Sequence, residues 1–132
     1  MFDQIKDSIY SVEKELGNYY KENVYQSALA VELQMKGIII QTEVVVPILY
    51  KNVNVGYERA DIVVYNKNGI YIIIELKSQN SRISTKEINQ LRKYLNNLGC
   101  DSGILVNFYD NLEIYLVDKF SHKKICNDTS HQ

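Results

Sequence analysis

The chain has 132 residues, 45% of them hydrophobic and 23% charged, with a formal net charge of -1. This fits one globular domain with its own core and excludes a surface coated in basic charge, so a nucleic acid would have to be held by a local patch. The two cysteines, Cys100 and Cys126, lack metal-ligand spacing, and the two histidines, His122 and His131, lie in a polar tail. A disulfide framework and a histidine zinc site are therefore not expected.

The start of the chain lacks a basic segment followed by an apolar run, and no stretch is apolar enough to span a membrane, so a cytoplasmic protein is expected. Ile5, Ile9, Val12 and Leu16 recur at helical spacing and predict a first amphipathic helix, stopped near Gly17. Residues 19–36 predict a second helix closed by Gly37. Val24, Ala28, Val31 and Met35 form one apolar column; Tyr25, Leu29 and Glu32 form its neighbour, with Glu22 at the head. Glu22 reads either as a site residue or as a first-turn acid favoured by the helix dipole. Glu32 reads either as a site residue or as a buried acid paired with a cation such as Arg59.

Residues 38–50 read as extended, with Pro47, the chain's one proline, marking an edge or a bulge. Residues 51–56 read as a turn into the central hairpin, whose arms are residues 57–65 and 70–77 and whose link is Asn66-Lys67-Asn68-Gly69. Side chains alternate between the faces of a strand, so Glu75 and Lys77 share one face while Ile72, Ile74 and Leu76 take the other. If Tyr65 lies opposite Tyr71, Asp61 lies opposite Glu75. Two facing carboxylates repel, and such an arrangement is more readily kept with a cation between them. Two carboxylates holding a divalent metal, with a lysine alongside, suit phosphodiester hydrolysis. An ordinary solvated hairpin with a salt bridge would use the same residues.

A polar loop follows. Ser84 and Glu87 form a capping box for a helix whose buried stripe is Ile88, Leu91, Leu95 and Leu98, stopped by Gly99. Gln90 and Tyr94 lie one turn apart on an adjoining face, with Arg92 and Lys93 solvated. Residues 102–108 and 112–117 predict two more strands, and the polar residues 121–132 predict a frayed tail behind a single domain of residues 1–120. The order ααβββαββ gives an α/β sandwich, a central mixed sheet flanked by helices.

This order, with Asp61 and then Glu75-Leu76-Lys77 at the end of an apolar strand, resembles the PD-(D/E)XK nuclease superfamily, a restriction-endonuclease-like three-layer sandwich. More narrowly it is similar to that superfamily's small GxxExxY proteins. The resemblance runs from Ile9 to Val117 and rests on residues 22–33, 60–64, 74–77, 90–95 and 105–108. Glu22 and Tyr25 match, whereas the family's glycine falls at Tyr19. The resemblance implies a nuclease in which Asp61 and Glu75 hold Mg²⁺ or Mn²⁺, Glu22 completes the acidic cluster, and Lys77 orients or activates the attacking water. It implies that Gln90 and Tyr94 line the site; Tyr25, Glu32 and Arg59 are further residues expected beside them. Nucleic acid, DNA before RNA, is the partner it implies. Charge balance for Asp61 and Glu75 is the alternative role for Lys77. A catalytically silent module of the same fold, binding nucleic acid or protein, is the alternative function. A homodimer through the tyrosine-rich strands is a third reading.

Overall fold

The computed structural model of the chain describes residues 1–127. Helices α1 (Phe2–Leu16) and α2 (Glu22–Met35) precede three strands, β1 (Ile39–Tyr50), β2 (Val53–Asn66) and β3 (Gly69–Lys77). Helix α3 (Thr85–Leu98) crosses to β4 (Ser102–Asn107), followed by β5 (Glu113–Asp118) and β6 (His122–Asn127). The six strands make one sheet in chain order. Among the described residues only β3 and β4 pair in parallel, as a helical crossover allows; the other pairs are antiparallel.

The sheet separates two cores. On one face Ile5, Ile9 and Val12 of α1 and Tyr25, Leu29 and Leu33 of α2 pack on Ile62, Val64, Ile72, Ile74, Leu76, Ile104 and Val106. On the other, Ile88, Leu91, Tyr94 and Leu95 of α3 pack on Val63, Ile73 and Leu105. The result is the expected α/β sandwich with three layers. No helix among the described residues is long and apolar enough to cross a membrane.

Several local expectations are corrected. The buried stripe of α2 is Tyr25-Leu29-Leu33, while Val31 and Met35 are 54% and 77% exposed. The turn before β2 is only Lys51-Asn52, both at positive φ (49° and 67°), the two-residue geometry that matches strand twist. Residues 122–127, expected to fray, form β6, because an edge strand is held by backbone pairing to β5 and needs little apolar surface. Residues 128–132, His131 among them, lie outside the described residues.

Gly103 brings α3 close to the sheet. A Cβ there would meet Leu91 Cδ2 at 2.9 Å and its Cδ1 and Cγ at 3.0 Å, and Leu91 is fully buried. Gly103→Ala is expected to destabilise the fold by about 1–3 kcal/mol through overpacking. A urea midpoint unchanged from wild type would show that α3 shifts freely off β4.

Candidate active site

Strands β2 and β3 pair from Asn66↔Gly69 to Ile62↔Ile74 and then part. A register shift between Val64 and Tyr65 puts Tyr65 opposite Ile70 and leaves Tyr71 unpaired, correcting the expected Tyr65–Tyr71 pair. Beyond the shift the alignment leads to Asp61 beside Glu75, as expected. There the carboxylates replace ladder bonds. The Asp61 N–H donates to Glu75 Oε2 at 2.6 Å, and the Leu76 N–H donates to Asp61 Oδ2 at 2.8 Å. Each acid is thus clamped by the other strand's backbone, which fixes both carboxylates.

The same point is a break in β1. Glu43, between the pairs Thr42↔Ile62 and Val44↔Ala60, has φ 54°. Ile62 and Val64 face α1 and α2, yet Ala60, Val44 and Val46 join the α3-side core, so the ribbon turns over at Glu43 and Asp61. Gln26 of α2 covers the break. In the amide orientation that satisfies both its ends, its nitrogen donates to Asp61 Oδ1 at 3.2 Å and to Glu43 Oε2 at 3.3 Å.

The turnover also brings in Glu58, which alternation from Asp61 would assign to the opposite face. Glu58 Oε2 accepts from the Gln90 side chain and from the Tyr94 hydroxyl at 3.3 Å. Glu58, Glu75, Lys77, Gln90 and Tyr94 line one cleft of about 620 Å³ between the sheet and the start of α3. Its outer wall is the loop after β3, which presents Gln79, Ser81 and Arg82.

That loop is held from beneath by Asn107, which lies within the matching stretch 105–108 but to which the resemblance assigns no role. Asn107 Oδ1 accepts from the Gln79 and Tyr109 N–H groups (3.1 and 3.2 Å), and its Nδ2 donates to the Gln79 and Ser81 carbonyls (3.2 and 3.1 Å). Opposite Asn107 in the ladder, buried Glu113 accepts the Ile83 N–H at 3.3 Å and pairs with Lys124 at 3.5 Å. At the helix start the Ser84 N–H donates to Glu87 Oε1 at 2.8 Å, which completes the expected capping box.

The other expected site residues divide. Glu22 stands at the start of α2, close enough to act on Asp61 and Glu75 through its charge. Tyr25 is fully buried and stacks on Phe108 at 4.4 Å between centroids, with its hydroxyl donating to the Gly17 carbonyl at 2.6 Å. It is a core residue, placed there by the rotation of α2. Among the described residues no ion pair joins Glu32 to Arg59; Arg59 is exposed and Glu32 is half-buried. Neither lines the cleft. Tyr19, where the resemblance expects glycine, has φ 76°, the left-handed conformation glycine adopts most readily. Its hydroxyl donates to Asp110 Oδ1 at 3.1 Å.

Burial raises the Asp61 carboxyl to about 6, opposed by the Leu76 N–H, with the charges of Glu22 and Glu43 pushing the same way as burial. Burial, and then the Asp61 charge, pushes Glu75 well above the usual carboxylate range. Partial burial raises Glu22, and Lys77 opposes the rise in all three acids. Burial pushes the Tyr94 hydroxyl up to about 12, so it stays protonated and donates. The protein therefore holds negative charge here at a cost that a bound cation would offset. The donors are hard oxygens, which suit Mg²⁺ or Mn²⁺. Among the described residues, no group of three or more His, Cys, Asp and Glu side chains is arranged to hold a metal by itself. Asp61 and Glu75 fit as two ligands of an ion that keeps several waters, as Mg²⁺ does.

The folded protein binds the Asp61 proton more tightly than the unfolded chain does. Stability without metal is therefore highest below pH 4 as far as this group is concerned. It falls as pH rises from about 4 to about 6 and then levels, a loss of at most about 3 kcal/mol from Asp61. Asp61→Asn is expected to remove the Asp61 share of this slope in denaturant titrations across pH in EDTA, and Asp61→Asn combined with Glu75→Gln the share of both acids. A wild-type slope that survives in the double variant would assign the effect elsewhere.

The sequence model of the PD-(D/E)XK nuclease superfamily matches residues 1–117. No curated protein and no solved structure matches the chain.

Proposed function

Since this chain belongs to the PD-(D/E)XK nuclease superfamily, we propose that it hydrolyses phosphodiester bonds with a divalent metal, Mg²⁺ or Mn²⁺, and takes DNA before RNA. The observation that carries this reading is the clamped pair, Asp61 and Glu75, of which Glu75 lines the cleft together with Lys77 while Asp61 stands behind it. A metal bound there supplies charge neutralisation and a more acidic attacking water. The chain's own residues supply position. Asp61 and Glu75 are ligands whose carboxylates cannot swing away, because each is bonded to a backbone N–H across the seam. Lys77, two residues beyond Glu75 on the same strand, balances the acids and orients the water or takes its proton. Glu22 adds its negative charge from the start of α2, where it acts on both Asp61 and Glu75. Gln90, fixed by Glu58, keeps a second amide N–H for the cleft, where a phosphate or a base edge would lie, while the Tyr94 hydroxyl gives its one proton to Glu58.

The narrower assignment to the GxxExxY proteins is supported by Glu22, by Tyr25 and by the left-handed backbone at Tyr19. A silent binding module is the second reading, favoured by the net charge of -1 and the lack, among the described residues, of a ready three-ligand group. Labelled single-stranded, double-stranded and branched DNA, and RNA, incubated with Mg²⁺, Mn²⁺ or EDTA, separate the two. The nuclease reading expects cleavage with either metal and none in EDTA. Binding without cleavage of any substrate would establish the module instead.

A further inference from the structure

Residues 78–84 join β3 to α3, and Ile83 is their one buried side chain. A loop with so little apolar anchorage is ordinarily mobile, yet this one is held by polar groups. Asn107 takes it from beneath, and Glu113 accepts the Ile83 N–H. Within the loop, the Gln79 amide nitrogen donates to the Ser81 and Arg82 carbonyls at 3.3 and 3.4 Å and to Glu87 Oε1 at 3.1 Å. The backbone on both sides of Arg82 is therefore fixed, while Arg82 itself lines the cleft. Lys86 lines it from the first turn of α3.

The charges that line the cleft are unevenly engaged. Its acids all accept hydrogen bonds: Glu58 from Gln90 and Tyr94, Glu75 from the Asp61 N–H, and Glu87 from Ser84 and Gln79. Its cations, Lys77, Arg82 and Lys86, make no side-chain hydrogen bond or salt bridge among the described residues. Lys77 stands in the field of Asp61, Glu75 and Glu22. Arg82 and Lys86 are left as cations whose partner must come from outside the chain.

We propose that Arg82 and Lys86 bind the phosphate adjoining the one that is cut, and that Gln79 and Asn107 are the positioning residues that hold Arg82 for it. The proposal rests on the nucleic-acid reading of this cleft. The scissile phosphate belongs at the seam of Asp61 and Glu75, beside Lys77. A strand carries a charge at every nucleotide, so the next phosphate enters the remainder of the same cleft. A guanidinium fork matches phosphate oxygens two at a time, and fixing its backbone beforehand lowers the ordering cost of binding. Membership of a nuclease superfamily selects phosphates, rather than the carboxylates of a protein, as the anions. Such a contact sets the register of the strand on the site and reads no base.

The test is fluorescence anisotropy of a labelled thymidine homopolymer with the full chain in EDTA, where nothing is cut, over a range of KCl. Together, Arg82→Ala and Lys86→Ala are expected to weaken binding roughly tenfold at low salt and to flatten the slope of log affinity against log salt by about 0.7, the loss of one single-strand phosphate contact. Lys67→Ala, which removes an exposed cation in the turn at the other end of β3, should change neither. Gln79→Ala should weaken binding by itself and cost little more in an Arg82→Ala background, because its effect runs through Arg82. A merely structural Gln79 would lower both backgrounds alike, which overturns the positioning role. A salt slope indifferent to the double variant overturns the proposal, as does an equal loss in Lys67→Ala or a wild type that binds no strand. No turnover is involved, so a silent binding module would still give the expected result, and a nuclease that binds without Arg82 would fail it while cleaving.

Discussion

Asp61→Asn and Glu75→Gln are each expected to lower metal-dependent cleavage by roughly a thousandfold, while the folded protein keeps or gains stability. Each change removes a charge and almost no volume. The amide introduced by Asp61→Asn retains an oxygen for the Leu76 N–H, and the amide introduced by Glu75→Gln retains one for the Asp61 N–H. What is lost is the paired negative charge that attracts the cation, and charge stabilisation of this kind is worth about 10²–10³ for a single group in related chemistries. The gain in stability follows from the sign of the shifts: burial raises both carboxyls, so ionising them at neutral pH costs the metal-free fold. Lys77→Ala should also be deficient, and Lys77→Arg should not restore it, because a planar guanidinium fork does not reproduce the compact ammonium. Steady-state cleavage and thermal melts in EDTA check both halves. Variants that cleave normally would remove the pair from the chemistry; variants that melt well below wild type would make it structural.

Tyr25→Ala is expected to cost about 3–5 kcal/mol, the range for removing a buried aromatic side chain. It empties the stack on Phe108 and leaves the Gly17 carbonyl without its donor. Tyr25→Phe keeps the ring and loses the hydroxyl's bonds to Gly17 and to the Tyr20 N–H, about 1–2 kcal/mol. Cleavage per folded molecule should be unchanged in Tyr25→Phe. Denaturation curves give the costs. A Tyr25→Phe protein that folds but does not cleave would return this residue to the site.

The acid pair and Tyr25 show where the sequence was legible. Asp61 and Glu75 could be aligned from the hairpin alone, because the register shift near the turn leaves their alignment intact. The capping box at Ser84 and the stripes of α1 and α3 were also legible, since each has one apolar face. Helix α2 has two apolar columns, and composition does not say which meets the sheet; the one containing Tyr25 does. Glu58 was hidden for a different reason. Alternation assumes an unbroken strand, and the ribbon turns over at Glu43 and Asp61. Asn107 looked like the end of an apolar strand, yet its amide bonds backbone groups 26 and 28 residues away, a contact that no local pattern records. Strand β6 carries polar residues at an edge, where backbone pairing suffices, so hydrophobic periodicity had nothing to detect.

The central claim is that the seam between Asp61 and Glu75 holds a divalent cation. Calorimetric titration of Mn²⁺ into the wild-type protein and into Glu75→Gln, each at pH 5.5 and at pH 7.5 in buffers of differing ionisation heat, tests it most directly. The expected result is one or more ions bound by the wild type, with protons released at pH 5.5 because the carboxylates must ionise to ligate, and binding lost in Glu75→Gln. Equal binding by the two proteins, or none by the wild type, would contradict it.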